Sequence, residues 1–382
     1  MKAVIAIDSF KGSLSTFESG KAVSEGIKRV YPNAKTVICP LADGGEGTVD
    51  AIVSSTDGEI ITVSVTDPLG GTVNAKYGYI PKTKTAVIEM SAAAGITLIE
   101  PEKRDPMKTT TFGVGEMIAH AVKVTGCRSF IIGIGGSATN DGGVGMLTAL
   151  GFEFLDQDGA PIKRGAEGLA SLCEIRTTGA MKELPECEFN IACDVKNPLC
   201  GENGCSAVYG PQKGATAKTI PLMDGWLSEY AKLSAKAVGT DYSEYPGAGA
   251  AGGMGFAFIS YLGARLTSGI ELVISVTELE KKLADADVVI TGEGRLDAQS
   301  AMGKAPIGVA RAAKKYGKPV IAFAGAIKED APVCNEHGID AFFPILRKPC
   351  TLEEAMDVNT AYSNLTDTAE QVFRLFKRLE NK

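Results

Sequence analysis

The sequence predicts an α/β protein: a Rossmann-like parallel-sheet domain built from both chain ends, with a second, mixed α/β domain inserted. Three observations carry this. Two strand–loop–helix units fill the first 55 residues. A β-rich stretch with meander spacing begins near residue 58. The strand–loop–helix rhythm returns after Leu283. A chain of 382 residues is too long for one typical core. The boundaries read as 1–70 plus 280–382 for the first domain and 71–279 for the insert, with an active site expected in the cleft between them.

Residues 3–7 form a continuous apolar run, as in a strand buried on both faces. Asp8-Ser9-Phe10-Lys11-Gly12-Ser13 is the loop at its C-terminal end. Ser15 and Glu18 form a capping box that opens a helix to about Tyr31, where Pro32 ends it. Thr36 to Cys39 is a second strand, leading through Pro40-Leu41-Ala42-Asp43-Gly44-Gly45-Glu46-Gly47-Thr48 into a helix ending near Ser54. Ligands of parallel sheets bind at the C-terminal strand ends. Asp8, Lys11, Asp43 and Glu46 therefore fall at a shared polar site.

Glu59 to Thr66, Thr72 to Ile80 and Thr85 to Met90 read as an antiparallel meander. A helix over about Val114 to Val124 precedes the apolar strand Phe130-Ile131-Ile132. Then comes Gly133-Ile134-Gly135-Gly136-Ser137-Ala138-Thr139-Asn140-Asp141-Gly142-Gly143, opening a helix over Val144 to Leu150. Further strands read at Gly151 to Asp156, Glu174 to Thr177 and Phe189 to Cys193, the last ending in Asp194. Tyr209 to Ala215 is a loop carrying Lys213, and a helix over about Ile220 to Ala237 holds the only tryptophan, Trp226. Gly247 to Gly255, with Gly252 and Gly253, is a second glycine-rich loop before a helix.

Asp287 to Thr291 reads as a strand, Gly292-Glu293-Gly294-Arg295-Leu296-Asp297 as a loop, and a helix beyond Gly303-Lys304 runs to about Tyr316. Pro319 to Ala324 and Ala341 to Ile345 are the last strands, and Ala355 to Leu379 reads as one amphipathic helix.

Composition narrows the function. The net charge of −7 argues against nucleic acid or an anionic membrane as partner. No stretch approaches the ~20 apolar residues of a membrane helix, and the N-terminal apolar run is too short for a signal peptide. Nine cysteines, an odd number with no secretory signal, point to reduced thiols in the cytoplasm. Two histidines, His120 and His337, give a Ser-His-Asp hydrolase little support.

The 45 glycines cluster at junctions, which points to ligand loops. A glycine loop before a helix is a ready anion site, and a carboxylate within it, Asp141, fits phosphate accompanied by Mg²⁺. Walker A and protein-kinase signatures are absent. Gly133-x-Gly135-x-x-Ala138 and Gly247-x-Gly249-x-x-Gly252 match dinucleotide fingerprints, and Glu153 follows the first at about the expected distance. An NAD(P)-dependent oxidoreductase acting on a small hydroxy acid is therefore the rival reading. Phosphoryl transfer accounts better for carboxylates and cations spread over separate loops: Asp8, Lys11, Asp43, Asp141, Asp194, Lys213, Arg295, Asp297 and Lys304. A non-catalytic sugar-acid sensor is weaker, because no DNA-binding module or basic face is visible.

Several of these segments, in order along essentially the whole chain, resemble the bacterial type I glycerate kinases. They are Asp8-Ser-Phe-Lys-Gly-Ser, Pro40-Leu-Ala-Asp-Gly-Gly-Glu-Gly-Thr, Gly135-Gly-Ser-Ala-Thr-Asn-Asp-Gly-Gly, Asn197-Pro-Leu, Gly210-Pro-Gln-Lys-Gly-Ala and Gly292-Glu-Gly-Arg-Leu-Asp-x-Gln. The resemblance implies ATP-dependent, Mg²⁺-assisted phosphorylation of D-glycerate to 2-phosphoglycerate. It also implies a Rossmann-like domain with an inserted α/β domain.

Roles follow as expectations. Lys11 and Arg295 are assigned to glycerate's carboxylate or the transferring phosphate, and Asp194 or Asp297 to the hydroxyl proton. Asp8, Ser9, Asp43, Glu46, Lys213 and Lys304 are placed around the substrate. The phosphate cradle is assigned to Gly135, Gly136, Ser137, Thr139, Asn140, Gly252 and Gly253, and Mg²⁺ to Asp43 or Asp141. The sequence leaves monomer and homodimer both open.

Overall fold

A computed structural model describes residues 1–42 and 44–380. The described residues divide into two compact units: 1–42, 50–56 and 270–380 in one, and 44–49 and 57–269 in the other.

The first unit is built on a five-stranded, all-parallel sheet. Its order is Ala341–Pro344, Val320–Ile327, Val288–Leu296, Lys2–Ile5, Lys35–Ile38. The chain leaves Lys2–Ile5 toward one edge, then returns to its other side with Val288–Leu296 and continues to the opposite edge. The gap between those two central strands is the topological switch point, where the C-terminal loops diverge and leave a crevice. Helix Thr16–Val30 begins with the Ser15–Glu18 capping box and packs on helix Val358–Glu380. Their apolar faces enclose a core around Ile5, Ile27, Phe323, Leu365 and Phe373.

The second unit holds a six-stranded mixed sheet ordered Arg265–Thr267, Glu188–Ala192, Ser129–Gly133, Thr85–Glu89, Thr72–Ile80, Glu59–Thr66. The first four strands run parallel; the last two add antiparallel pairs. Its core includes Tyr77, Phe130, Phe189, Tyr230 and Phe256. His120 serves this packing: its Nδ1 lies 3.0 Å from the Tyr77 hydroxyl.

Four expectations are corrected. The boundary at residue 70 falls too late, because Glu59–Thr66 pairs along its whole length with Thr72–Ile80 in the second unit's sheet. The boundary at 280 also falls too late, because residues from 270 onward belong to the first unit. The predicted loop 292–297 is mostly strand: Gly292 to Leu296 continue the ladder against Phe323 to Ile327. The single C-terminal helix is two helices, Leu352–Met356 and Val358–Glu380. Thr351 and Glu354 form a capping box on the first, and the Asp357 carboxylate accepts from Thr360 N–H at the start of the second.

Candidate active site

The switch point of the first unit carries a cavity of about 500 Å³. Asp8, Ser9 and Lys11 reach it from the loop after Lys2–Ile5, and Glu293 and Arg295 from the neighbouring strand. Lys304, just ahead of helix Ala305–Lys314, also lines it. The strand extension explains how two of these side chains share one face. Residues two apart on a strand point the same way, so Glu293 and Arg295 both meet the cavity. Glu293 was not among the residues expected from sequence; the signal for it was its alternation with Arg295.

Asp297 has a different place. It is 2% exposed. Its carboxylate accepts from Arg295 Nε at 3.1 Å and Gln299 N–H at 3.0 Å, while Ser300 Oγ closes the capping box onto its backbone N–H. Lys328 Nζ stands 3.9 Å from it. A carboxylate so buried and engaged is poorly placed as a proton acceptor; it fixes the guanidinium of Arg295.

In the second unit, loop residues gather at the C-terminal ends of the parallel strands. The segment 44–49 is tied there by Val49 N–H donating to Glu89 Oε1 at 2.8 Å. It packs so closely that a side-chain carbon on Gly133 would fall 2.1 Å from the Gly44 carbonyl oxygen. Glu46 is exposed on this segment, and Gly135 and Gly136 are exposed on the neighbouring loop. Asp194, also exposed, follows Glu188–Ala192 and accepts from Gly269 N–H at 3.2 Å. Asp43 lies outside the described residues.

The rest of the glycine loop turns inward. Asp141 is 1% exposed and accepts from Thr111 N–H (2.8 Å), Thr111 Oγ1 (2.9 Å), Gly143 N–H (3.1 Å) and Gly145 N–H (3.3 Å). Burial pushes its carboxyl up from the usual range, and these donors oppose that shift. Both oxygens are thus committed to the protein, and the expectation of Asp141 as a Mg²⁺ ligand gives way to a hub that closes the loop. Asn140 is fully buried and donates to Ser206 Oγ at 2.8 Å. Gly252 and Gly253 are buried as well: a side-chain carbon on Gly252 would sit 2.1 Å from the Thr139 carbonyl. Their small size serves the packing of two loops against each other, not a phosphate cradle.

Lys213 also serves the loop. Its ammonium is buried, donating to Ser137 Oγ at 2.8 Å and the Thr139 carbonyl at 2.7 Å. Burial lowers its pKa to about 8, against the opposing pull of Cys205 and Asp141. It braces Ser137 and Thr139 from beneath.

The comparisons agree across the chain's length. The model of the glycerate kinase family matches residues 3–377. The chain belongs to the glycerate kinase family. It is 49% identical to a glycerate kinase of Haemophilus influenzae, covering 98% of each chain. It is also 49% identical to a glycerate 2-kinase of Escherichia coli, covering 97% of each. A crystal structure titled putative glycerate kinase 2 from Salmonella typhimurium LT2 matches with a TM-score of 0.92 at 48% identity, over 100% of both chains.

Membership of a kinase family sets the dinucleotide oxidoreductase aside, and the geometry shows why its fingerprint misled. Glu153 lies on Glu153–Leu155, which pairs with Glu174–Arg176 in a separate two-stranded sheet. It is not on the strand next to Ser129–Gly133, where a ribose-binding acid would belong. Among the described residues no helix is long and apolar enough to cross a membrane.

Proposed function

We propose that this chain transfers a phosphoryl group from ATP to a hydroxyl of D-glycerate, giving 2-phosphoglycerate, in the cytoplasm. Full-length membership of the glycerate kinase family supports the reaction, and the relative named glycerate 2-kinase supports position 2. The observation that carries the site is the convergence of Lys11, Arg295 and Lys304 on one cavity at the switch point of the parallel sheet. Three cations there suit reactants that carry carboxylate and phosphate groups, and they neutralise charge on a transferring phosphoryl group.

Asp297 orients Arg295, so its contribution is indirect. Asp194, with its exposed carboxylate, is the remaining candidate to accept the hydroxyl proton. Lys213 and Asp141 hold the shape of the glycine loop whose exposed part is Gly135–Gly136.

Mg²⁺ would supply charge neutralisation at the phosphates. Among the described residues no cluster of three or more ligating side chains forms a cage. That suits Mg²⁺, which commonly takes one or two carboxylates plus phosphate oxygens. Asp8 and Glu293, which share the cavity with the three cations, are the carboxylates that would hold it.

A coupled ADP-release assay tests the reading. ADP formation that requires D-glycerate, ATP and Mg²⁺ together supports it; a folded enzyme that releases no ADP with D-glycerate contradicts it.

A further inference from the structure

The cavity at the switch point is lined by two chemically different sets of residues, called here its polar and its apolar end. One is the polar end described above. The other is apolar, formed by Ile345, Leu346, Leu352, Met356 and Ala361. Leu352 is 75% exposed, and Leu346 and Met356 are each more than a third exposed. Large apolar side chains left open beside a cationic cluster form a surface awaiting a flat, apolar partner.

The short helix Leu352–Met356 supplies this end, and its position is set locally. The Thr351–Glu354 capping box fixes its start. Met356 reaches down onto the loop that carries Lys11: a side-chain carbon on Gly12, which sits at φ +78°, would fall 2.5 Å from Met356 Cε. A residue larger than glycine there would displace the thioether. The apolar end and the Lys11 loop are therefore built against each other.

We propose that this cavity is the nucleotide site, with the purine base of ATP against Leu346, Leu352 and Met356 and its phosphates toward Lys11, Arg295 and Lys304. The inference rests on the kinase reading above and adds to it which reactant the cavity takes. Size and chemistry both favour the nucleotide over glycerate. A three-carbon acid would fill only a small part of about 500 Å³, and it has no apolar surface to cover Leu352. A nucleoside triphosphate carries both an apolar face and charge, matching the two kinds of lining side chain. Methionine and leucine adapt well to a planar ring.

The test uses the full chain, with mant-ADP as the fluorescent probe and no glycerate present. Leu352→Asp and Met356→Glu place charge in the apolar end at positions open enough to keep the fold. The proposal expects each to weaken mant-ADP binding and raise the KM for ATP by roughly tenfold or more, the loss of about one apolar contact. The KM for D-glycerate should stay within about twofold. Adenosine should displace mant-ADP from the wild type and from Arg295→Gln, but tripolyphosphate should lose affinity for Arg295→Gln. Unchanged mant-ADP binding in both apolar-end variants would overturn the assignment. So would a selective rise in the KM for D-glycerate, which would give the cavity to the acid. Nucleotide binding that responds as expected in a protein that never turns over D-glycerate would uphold the nucleotide site and overturn only the kinase–glycerate reading.

Discussion

Arg295 Nε donates to Asp297 Oδ2 at 3.1 Å, a contact between a half-exposed guanidinium and a carboxylate 2% exposed. The pair joins the strand end to the helix that follows it. It also ties the buried acid of the Gly-Glu-Gly-Arg-Leu-Asp motif to the cation two residues before it.

Asp297→Asn keeps an acceptor for Gln299 N–H and loses only the charge facing Arg295. Turnover should fall modestly, within about tenfold, and the pH–rate profile should keep its acidic limb. Asp297→Ala also loses the helix cap and should cost about 1–2 kcal/mol in urea unfolding. Loss of the acidic limb in the Asn variant would restore Asp297 as the base.

Arg295→Gln removes a cation from the cavity and costs the fold little, because the side chain is about half in solvent and Gln299 N–H still donates to the Asp297 carboxylate. kcat/KM should drop by about 10²–10³-fold while the protein stays folded at the assay temperature. Near-normal kinetics would take Arg295 out of the reaction.

Asp141→Ala orphans the N–H groups of Thr111, Gly143 and Gly145 in a buried place. A loss of about 3 kcal/mol or more is expected in denaturant unfolding. Asp141→Asn, which keeps an acceptor, should lose less. Where that variant folds, the Mg²⁺ concentration for half-maximal rate should match the wild type, since Asp141 is committed to the loop.

Lys213 gives a pH signature. Its folded pKa, about 8, lies below the 10.5 of a free lysine, so between these values the unfolded chain binds more protons and stability rises with pH. Relative to Lys213→Met, which does not titrate there, the wild type should gain roughly 3 kcal/mol from pH 8 to 10.5, at about 1.36 kcal/mol per pKa unit. Parallel stability curves for the two proteins would show that Lys213 is not strained by its burial.

Much of the fold was legible because local chemistry and tertiary packing agree. The Ser15–Glu18 box opens its helix as expected, and the alternating stretches 59–66 and 72–80 form the antiparallel pair their pattern suggests. Residues 292–296 were misread because two glycines and a Glu–Arg pair look like a loop; the strand exists because Phe323–Ile327 offers a partner ladder that the local sequence does not reveal. The break at Asp357 has no glycine or proline to announce it. The site was legible as residue types but not as roles. A lysine in Gly-Pro-Gln-Lys and an aspartate in a glycine loop read as ligands; only packing shows that Lys213 and Asp141 are spent on the loop itself. Met356 was read inside one long helix starting at Ala355 and Leu352 was given no element, so their exposure beside Lys11 was invisible.

The central claim is phosphoryl transfer from ATP to a glycerate hydroxyl at a site that depends on the cationic cavity. The most direct measurement is ³¹P NMR of a reaction holding the enzyme, ATP, Mg²⁺ and D-glycerate, run beside Arg295→Gln. The account predicts ADP and a single new phosphomonoester assigned to 2-phosphoglycerate, formed at least about 10²-fold more slowly by the variant. No phosphorylated glycerate from folded wild-type enzyme, or equal rates for the two proteins, would contradict it.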